Sequence, residues 1–337
     1  MRVELQAPDW ATHLLSDFTD WQRAPLAVAG LRPFDLPEDA YFEYAWQDAA
    51  GQRREDPANT SPRLNPWWPY ACHVAGPDFA VESDFAATAG TAPRGRTLRL
   101  QVESALLGQS RPALVYTPAG FADHALPLLL FQDGKAYYGW GRVPQVLDRL
   151  LERGEIGPAH CVFVPPRERT AEYFFNERYR AFLTGELLPA VAARVGLDGR
   201  RVAWGASLGG LLSAQLAWES GGGFEAVIAQ SGAFLFSPDM VRGNPFAGRE
   251  AFHDIVVNSP PQNVRWRLEC GAFEWLLPSH RRLAAALAAT GHTVEAVERA
   301  AGHNWVNWGQ GIAAGLRFAL GVSRDGAPGY EQAANGS

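Results

Sequence analysis

A serine, a histidine and a carboxylate in this chain are spaced so that they could carry covalent ester chemistry. The segment "RVAWGASLGGLLSAQLAWES", Arg201 to Ser220, sets Ser207 in the pattern Gly205-Ala206-Ser207-Leu208-Gly209, a G-x-S-x-G sequence. Arg201 to Trp204 predicts a short buried strand. The Leu- and Ala-rich run Leu211 to Trp218 lacks Gly and Pro and predicts a helix. A serine on so sharp a strand-to-helix turn is held out at the top of a sheet, and glycines are needed beside it because side chains would clash. The helix N-terminus brings free N–H groups and a positive dipole end to the same spot, which suits an oxyanion. The competing reading is a Gly-rich turn with a solvated serine.

A serine nucleophile needs a base and an orienting acid. Where ligands sit at the carboxyl ends of the strands, these follow in the order Ser, acid, His. Four histidines come after Ser207: His253, His280, His292 and His303. His303, in "AAGHNWVNWG", directly follows the last predicted strand and precedes the last helix, where a general base is needed. His280 falls in the first turn of a helix and His292 precedes a strand, so both are expected at the wrong end of the sheet or in solvent. His253 lies in an irregular segment. For the acid, Glu274 follows the strand predicted over Val264 to Cys270 and is preferred to Glu269 within it, with Asp239 and Asp254 as fallbacks. Two backbone N–H groups, of Leu208 and Lys135, are the expected oxyanion hole. Lys135 follows the apolar run "LPLLLFQDG", whose Gly134 permits a turn. The sequence contains no H-E-x-x-H, no His pair at ligand spacing, no P-loop and no dinucleotide fingerprint, so metal-free, cofactor-free hydrolysis is expected.

The elements that must position these groups follow from the apolar pattern. Strands are predicted over Leu98 to Ser104, Arg111 to Thr117, Pro127 to Phe131, Cys161 to Val164, Arg201 to Trp204, Ala226 to Ala229, Val264 to Cys270 and Thr293 to Arg299. Helices are predicted over Val143 to Arg153, Tyr179 to Val195 with a break near Pro189, Ser279 (as cap) to Thr290, and Val306 to Leu320. Such alternation implies a doubly wound α/β sheet. Residues 1–85 are instead dense in Pro, Asp and aromatics, with short alternating runs, and predict a small β-sandwich. A linker is expected at 86–96, the catalytic domain at 97–321, and a disordered tail at 322–337. The chain of 337 residues has a formal net charge of -6, which argues against nucleic acid or an anionic membrane as partner. Its three cysteines form no framework and are expected reduced. A basic start followed by an apolar core is lacking, as is any apolar run long enough to span a bilayer, so a cytoplasmic location is expected.

The segments "LLLFQDGKAY", "RTAEYFFN", "ELLPAV", "VAWGASLGGLLSAQLA", "VIAQSGAF" and "AGHNWVNWGQGI" resemble, in order, those of the esterase family that includes enterochelin (ferric enterobactin) esterases. The resemblance covers roughly 97–320. It implies an α/β-hydrolase fold with Ser207 as nucleophile and His303 as base, and it suggests that Arg169, Glu172 and Asn176 organise the wall near the site, either by touching substrate or as a structural ion pair and a helix cap. In the N-terminal part, the segments "LLSDFTDWQRAPLAV", "LPEDAYFEYAW" and "DPANTSPRLNPWWPY" resemble the immunoglobulin-like early-set sandwich of the same esterases, a relative of glycogen-binding modules. Trp21, Trp67 and Trp68 could stack on sugars there, or the domain could pack on the hydrolase unit and close one side of its cleft. The resemblance leaves the substrate open. A trianionic iron–siderophore ester would need cations such as Lys135, Arg142, Arg167 and Arg169. The aromatics Tyr137, Tyr138, Trp140, Trp275 and Trp305 favour an aryl or apolar ester. Feruloyl, acetyl-sugar and simple acyl esters are the enzymatic alternatives, and a non-catalytic binding protein on the same scaffold is the third class. A small-molecule ester is the expected partner, and a homodimer is compatible with the sequence.

Overall fold

The computed structural model describes residues 1–21, 23–239 and 249–321; the tail expected at 322–337 lies outside the described residues. The N-terminal part builds an antiparallel sheet from β2 (Ala11–Ser16), β3 (Leu26–Ala27), β5 (Tyr41–Asp48), β6 (Arg53–Arg54) and β7 (Cys72–Ala75), beside a ribbon of β1 (Arg2–Val3) and β4 (Phe34–Asp35). Val3, Leu14, Phe42, Tyr44 and Trp46 form its core. Phe273 of the following domain packs against that core, so the two parts share apolar surface.

The second part is one eight-stranded sheet. Its strands are β8 (Arg96–Ser104), β9 (Gln109–Thr117), β10 (Leu126–Gln132), β11 (His160–Val164), β12 (Leu197–Ala206), β13 (Ala226–Gln230), β14 (Arg265–Gly271) and β15 (Val294–Arg299). They lie in the order β15-β14-β13-β12-β10-β11-β9-β8. Only β9 runs antiparallel to its neighbours β8 and β11; the other pairings are parallel. This is the α/β-hydrolase arrangement. Parallel strands covered on both faces are predominantly apolar, and β10, β11 and β13 are buried at every residue, with the polar Gln132, His160 and Gln230 confined to strand ends. Alternate residues feed two cores: Leu128, Leu130, Val162 and Ala203 on one face, and Leu129, Phe131, Phe163 and Trp204 on the other. The helix Leu208–Glu219 has no polar face, carrying only Ser213 and Gln215 as polar residues among its buried ones, because it lies inside the first core from Gly209 to Trp218.

Several boundaries differ from expectation. The helix expected over Tyr179 to Val195 is Glu177–Phe182, a π-helical turn Leu183–Leu187, and Leu188–Ala192. The wider turn comes directly ahead of Pro189, which has no N–H to continue the ladder. The helix expected to be capped by Ser279 starts at Leu277 with Pro278 in its first turn, and the Ser279 hydroxyl instead donates to the Leu276 carbonyl at 2.7 Å. The expected linker is a fastened strap: Arg94 N–H donates to Asp148 at 2.7 Å and Gly95 N–H to the Tyr116 hydroxyl at 2.8 Å. Just ahead of it, buried Asp84 gathers Arg149, Arg153 and Arg317. Among the described residues no helix is long and apolar enough to cross a membrane.

The strand order reverses between β10 and β12, because the chain leaves β10 for β11 on one side and returns to β12 on the other. That reversal opens a crevice at the carboxyl ends of the strands. The residues after β10 and β12 are Asp133 and Ser207.

Candidate active site

Ser207 has φ 56° and ψ -124°, a conformation costly for any residue with a side chain. It is held from three sides. Its N–H donates to the Gln230 carbonyl at 2.9 Å, its carbonyl accepts from Ala233 N–H at 3.0 Å, and the helix Leu208–Glu219 starts at the next residue. Gly205 is obligatory, since a Cβ there would lie 2.3 Å from the Gly209 carbonyl carbon. The turn is the strand–serine–helix elbow that a nucleophile requires.

Across the crevice, Asp133 rather than Gly134 takes the left-handed conformation, at φ 54°. Gly134 is needed for close approach, because a Cβ would stand 2.3 Å from the Phe163 carbonyl carbon and the Val164 nitrogen. Asp133 N–H donates to the Tyr173 hydroxyl at 2.8 Å. The Asp133 carboxylate is gripped by Arg169, Nε to Oδ1 at 2.7 Å and Nη2 to Oδ2 at 2.8 Å, and Arg169 Nη2 also donates to the Ala206 carbonyl at 3.1 Å. One planar guanidinium therefore ties the loop after β10 to the residue ahead of Ser207. Lys135 and Leu208 both lie in first helical turns, where backbone N–H groups have no intrahelical acceptor.

Glu274 follows β14 and His303 follows β15. His303 Nδ1 and Glu274 Oε2 are 2.6 Å apart. Glu274 Oε1 accepts from the Ser231 hydroxyl at 2.6 Å, Gly271 N–H at 2.8 Å and Asn307 Nδ2 at 3.2 Å. The Glu274 side chain is wholly buried. Burial pushes its carboxyl up, but the charge and hydrogen bond of His303, then Ser231 and Gly271, outweigh this and hold it below its usual range. Ser231 also accepts from Trp308 Nε1 at 2.9 Å. The His303 ring meets Trp308 edge-on, with centroids 5.1 Å apart, and lies 6.3 Å from Trp67 of the N-terminal domain.

Other residues singled out in the sequence stand elsewhere. Tyr137 is fully buried and donates to Gln230 at 2.8 Å, so it props the sheet beneath the site and lines no cleft. Glu172 is buried against Arg111, with oxygens 2.6 and 2.9 Å from the guanidinium. Asn176 caps Glu177–Phe182 by accepting from Tyr179 N–H at 3.0 Å, and donates to the Ala171 carbonyl. Arg169 is the clamp described above. Trp305 is buried between Tyr137 and Trp308, whereas Trp275 lies under the Arg23 guanidinium at 3.8 Å. Trp21 is core, edge-on to Trp68. His280 and His292 are both buried, so neither is in solvent, and His292 stands just ahead of β15, at the end of the sheet opposite the site. His280 meets the Gly232 carbonyl at 3.0 Å, with its pKa pushed down to about 4 chiefly by burial, and His292 Nε2 accepts from Gln262 N–H at 3.0 Å. The fallback acids Asp239 and Asp254 are paired with Arg249. Ser231 and Asn307 were missed. Their signals were Ser-Gly after a buried strand and the second Asn of "HNWVN".

The sequence matches none of the curated proteins. Among solved structures, the ferric enterobactin esterase of Salmonella typhimurium is similar at 19% identity and a TM-score of 0.73, over 92% of this chain and 89% of that one. The enterochelin esterase of Shigella flexneri is similar at 19% identity and a TM-score of 0.73, over 92% and 88%. A ferulic acid esterase matches at 20% identity and a TM-score of 0.56, over 68% and 98%. At these identities the likeness establishes the fold. The family model described as Putative esterase matches residues 104–319, most of the hydrolase domain. The chain belongs to that family and is a serine esterase of α/β-hydrolase fold.

Proposed function

We propose that this enzyme hydrolyses carboxylic esters with an aromatic acyl part through an acyl-enzyme on Ser207. The observation that carries the catalytic reading is the 2.6 Å bond between His303 and the buried, otherwise satisfied Glu274, on loops at the same end of the sheet as the Ser207 elbow. Ser207 Oγ attacks the ester carbonyl while His303 Nε2 takes its proton. Glu274 holds the Nδ1 proton and stabilises the imidazolium. The N–H groups of Leu208 and Lys135 receive the oxyanion. Collapse expels the alcohol, which takes the proton back from His303, and water then repeats the sequence on the acyl-enzyme to release the acid.

The aromatic preference is supported by Trp67, half-buried beside His303, with Trp68 next to it. A catecholate siderophore ester is the second reading, favoured by a two-domain likeness that extends over 92% of the chain. The cations an iron-bound trianion would need weigh against it. Among the described residues, Arg169 is spent on Asp133, Arg167 on Gln109 and Ser110, and Arg142 lies over Phe85. Lys135 lines a cavity of about 320 Å³ that includes neither Ser207 nor His303.

The test is a substrate panel with Ser207→Ala as control. Ethyl ferulate and aryl acyl esters should be cleaved with higher kcat/KM than acetyl-sugar esters or ferric and apo catecholate triesters. Ser207→Ala should lower kcat by roughly a thousandfold or more. Retained turnover in that variant would remove the mechanism, and preference for a catecholate triester would select the second reading.

A further inference from the structure

The N-terminal domain reaches the loop that carries His303 through one buried carboxylate. Asp17, 4% exposed, follows β2 and accepts three hydrogen bonds: from Trp21 Nε1 at 3.0 Å, Glu43 N–H at 2.8 Å and Asn304 Nδ2 at 3.3 Å. Asn304 is the residue after His303, and its Oδ1 caps the last helix by accepting from Asn307 N–H at 3.0 Å. On the other side of His303, Gly302 lies so close that a Cβ there would stand 1.9 Å from Asp17 Cγ. Both neighbours of the histidine are therefore seated on Asp17. Backbone contacts add to the seat: Tyr41 N–H donates to the Ala300 carbonyl at 2.8 Å, and Phe273 fills the N-terminal core one residue ahead of Glu274.

The same region holds the aromatic side of the cleft. Glu43 accepts from the Tyr41 hydroxyl at 2.9 Å and from Asn65 Nδ2 at 2.7 Å, and Asn65 Oδ1 accepts from Trp67 N–H at 3.2 Å. Asp17 and Glu43 thus fasten, one each, the loop of the base and the loop of Trp67.

We infer that Asp17 is a positioning residue of the esterase, fixing His303 against Ser207 through Asn304 and Gly302, and that the N-terminal domain is in this way part of the catalytic apparatus. The inference rests on the proposed Ser207–His303 chemistry. Protonation should enter its behaviour. Burial, then for Glu43 the charge of Asp17, pushes the two carboxyls up, to about 7 for Asp17 and about 8 for Glu43. The groups facing Asp17 are Glu43 and Tyr41 of β5, Glu274 after β14 and His303 after β15, with Asp20 and its partner Arg23 on its own segment. At neutral pH the pair keeps a proton. Ionising both carboxylates at higher pH sets them in repulsion and loosens the seat.

Asn304→Ser and Asp17→Asn test this in the full chain with p-nitrophenyl acetate. Asn304→Ser keeps a side-chain oxygen to cap the helix but loses the longer amide N–H that reaches Asp17, so it separates positioning from folding. We expect each variant to lose about tenfold in kcat with KM within about twofold, and the double variant to lose little more than either single one. The alkaline limb of the kcat profile should move in Asp17→Asn, whereas a merely structural role would lower the whole profile evenly. Kcat within about twofold of wild type in both variants, strictly additive losses, or an unmoved alkaline limb would each overturn the inference. If Ser207→Ala is as active as wild type, the reading of the site fails instead, and the two failures are told apart by that control.

Discussion

Ser207, Glu274 and His303 each sit where the backbone or the surroundings are expensive, and the expense is met by specific neighbours. The serine's positive φ is retained by hydrogen bonds to Gln230 and Ala233, and the buried carboxylate by Ser231, Gly271, Asn307 and His303. A carboxylate that accepts this many donors orients the imidazole and fixes its tautomer, with the proton on Nδ1. Replacing it with an amide puts an NH2 group where an acceptor is needed. Glu274→Gln should therefore lower kcat by about a thousandfold or more while KM changes little, and Ser207 should still be labelled by a fluorophosphonate at a reduced rate. Wild-type kcat in Glu274→Gln, checked by steady-state kinetics, would assign the orienting role elsewhere.

At the scale of elements, the crevice exists because β10 and β12 are adjacent while the chain visits β11 between them. Helices then start at Gly134 and Leu208, and Arg169 ties their starts together by bridging Asp133 and Ala206. A lysine could reach one of these oxygens but cannot grip both carboxylate oxygens in a plane. Arg169→Lys should leave the fold intact and lower kcat by roughly tenfold to a hundredfold, because the N–H groups of Leu208 and Lys135 proposed to receive the oxyanion would no longer be held at fixed separation. The loss should appear in kcat and kcat/KM alike; a change confined to KM would mean that Arg169 contacts substrate instead.

At the scale of the molecule, buried carboxyls of two kinds give opposite pH dependences. Glu172, Glu269 and Glu274 are held below the usual range because, despite burial, arginines or His303 and hydrogen bonds favour the charged form. Their contribution is present above the unfolded carboxylate pKa and is lost as pH falls through their lowered values. Asp17 and Glu43 are raised, so the native state keeps protons that the unfolded state releases. Their stabilisation is present below the unfolded pKa and is lost as pH rises through about 7 to 8. In urea unfolding, the share of wild-type stability due to Asp17 and Glu43 should decline from about pH 5 to pH 8.5, while buried His280, lowered to about 4, adds stability as pH rises to about 6.5. In Asp17→Asn the decline should be shallower, so the difference between the two proteins narrows with pH. Parallel pH curves for the two proteins would contradict this account.

The order of apolar runs and turn residues by itself determined the α/β class, the place of Ser207 between a strand and a helix, and the places of Glu274 and His303 after the next-to-last and last strands. These depend on period and sequence neighbours, which are local. Only the tertiary structure decided which polar side chains meet. The resemblance places Arg169, Glu172 and Asn176 near the site, and Tyr137 counts among its aromatics, but neither names their partners, which are Asp133, Arg111, Tyr179 and Gln230, chosen by the layering of helices on the sheet. The helix position of His280 predicts the far end of the sheet or solvent, but that end of the helix is packed under Gly232, just past β13. The contact of Asp17 with Asn304 spans 287 residues and leaves no periodic mark in either segment. Its hydrogen bond, like the burial that raises the Asp17 carboxyl, exists only once the two domains have closed on each other.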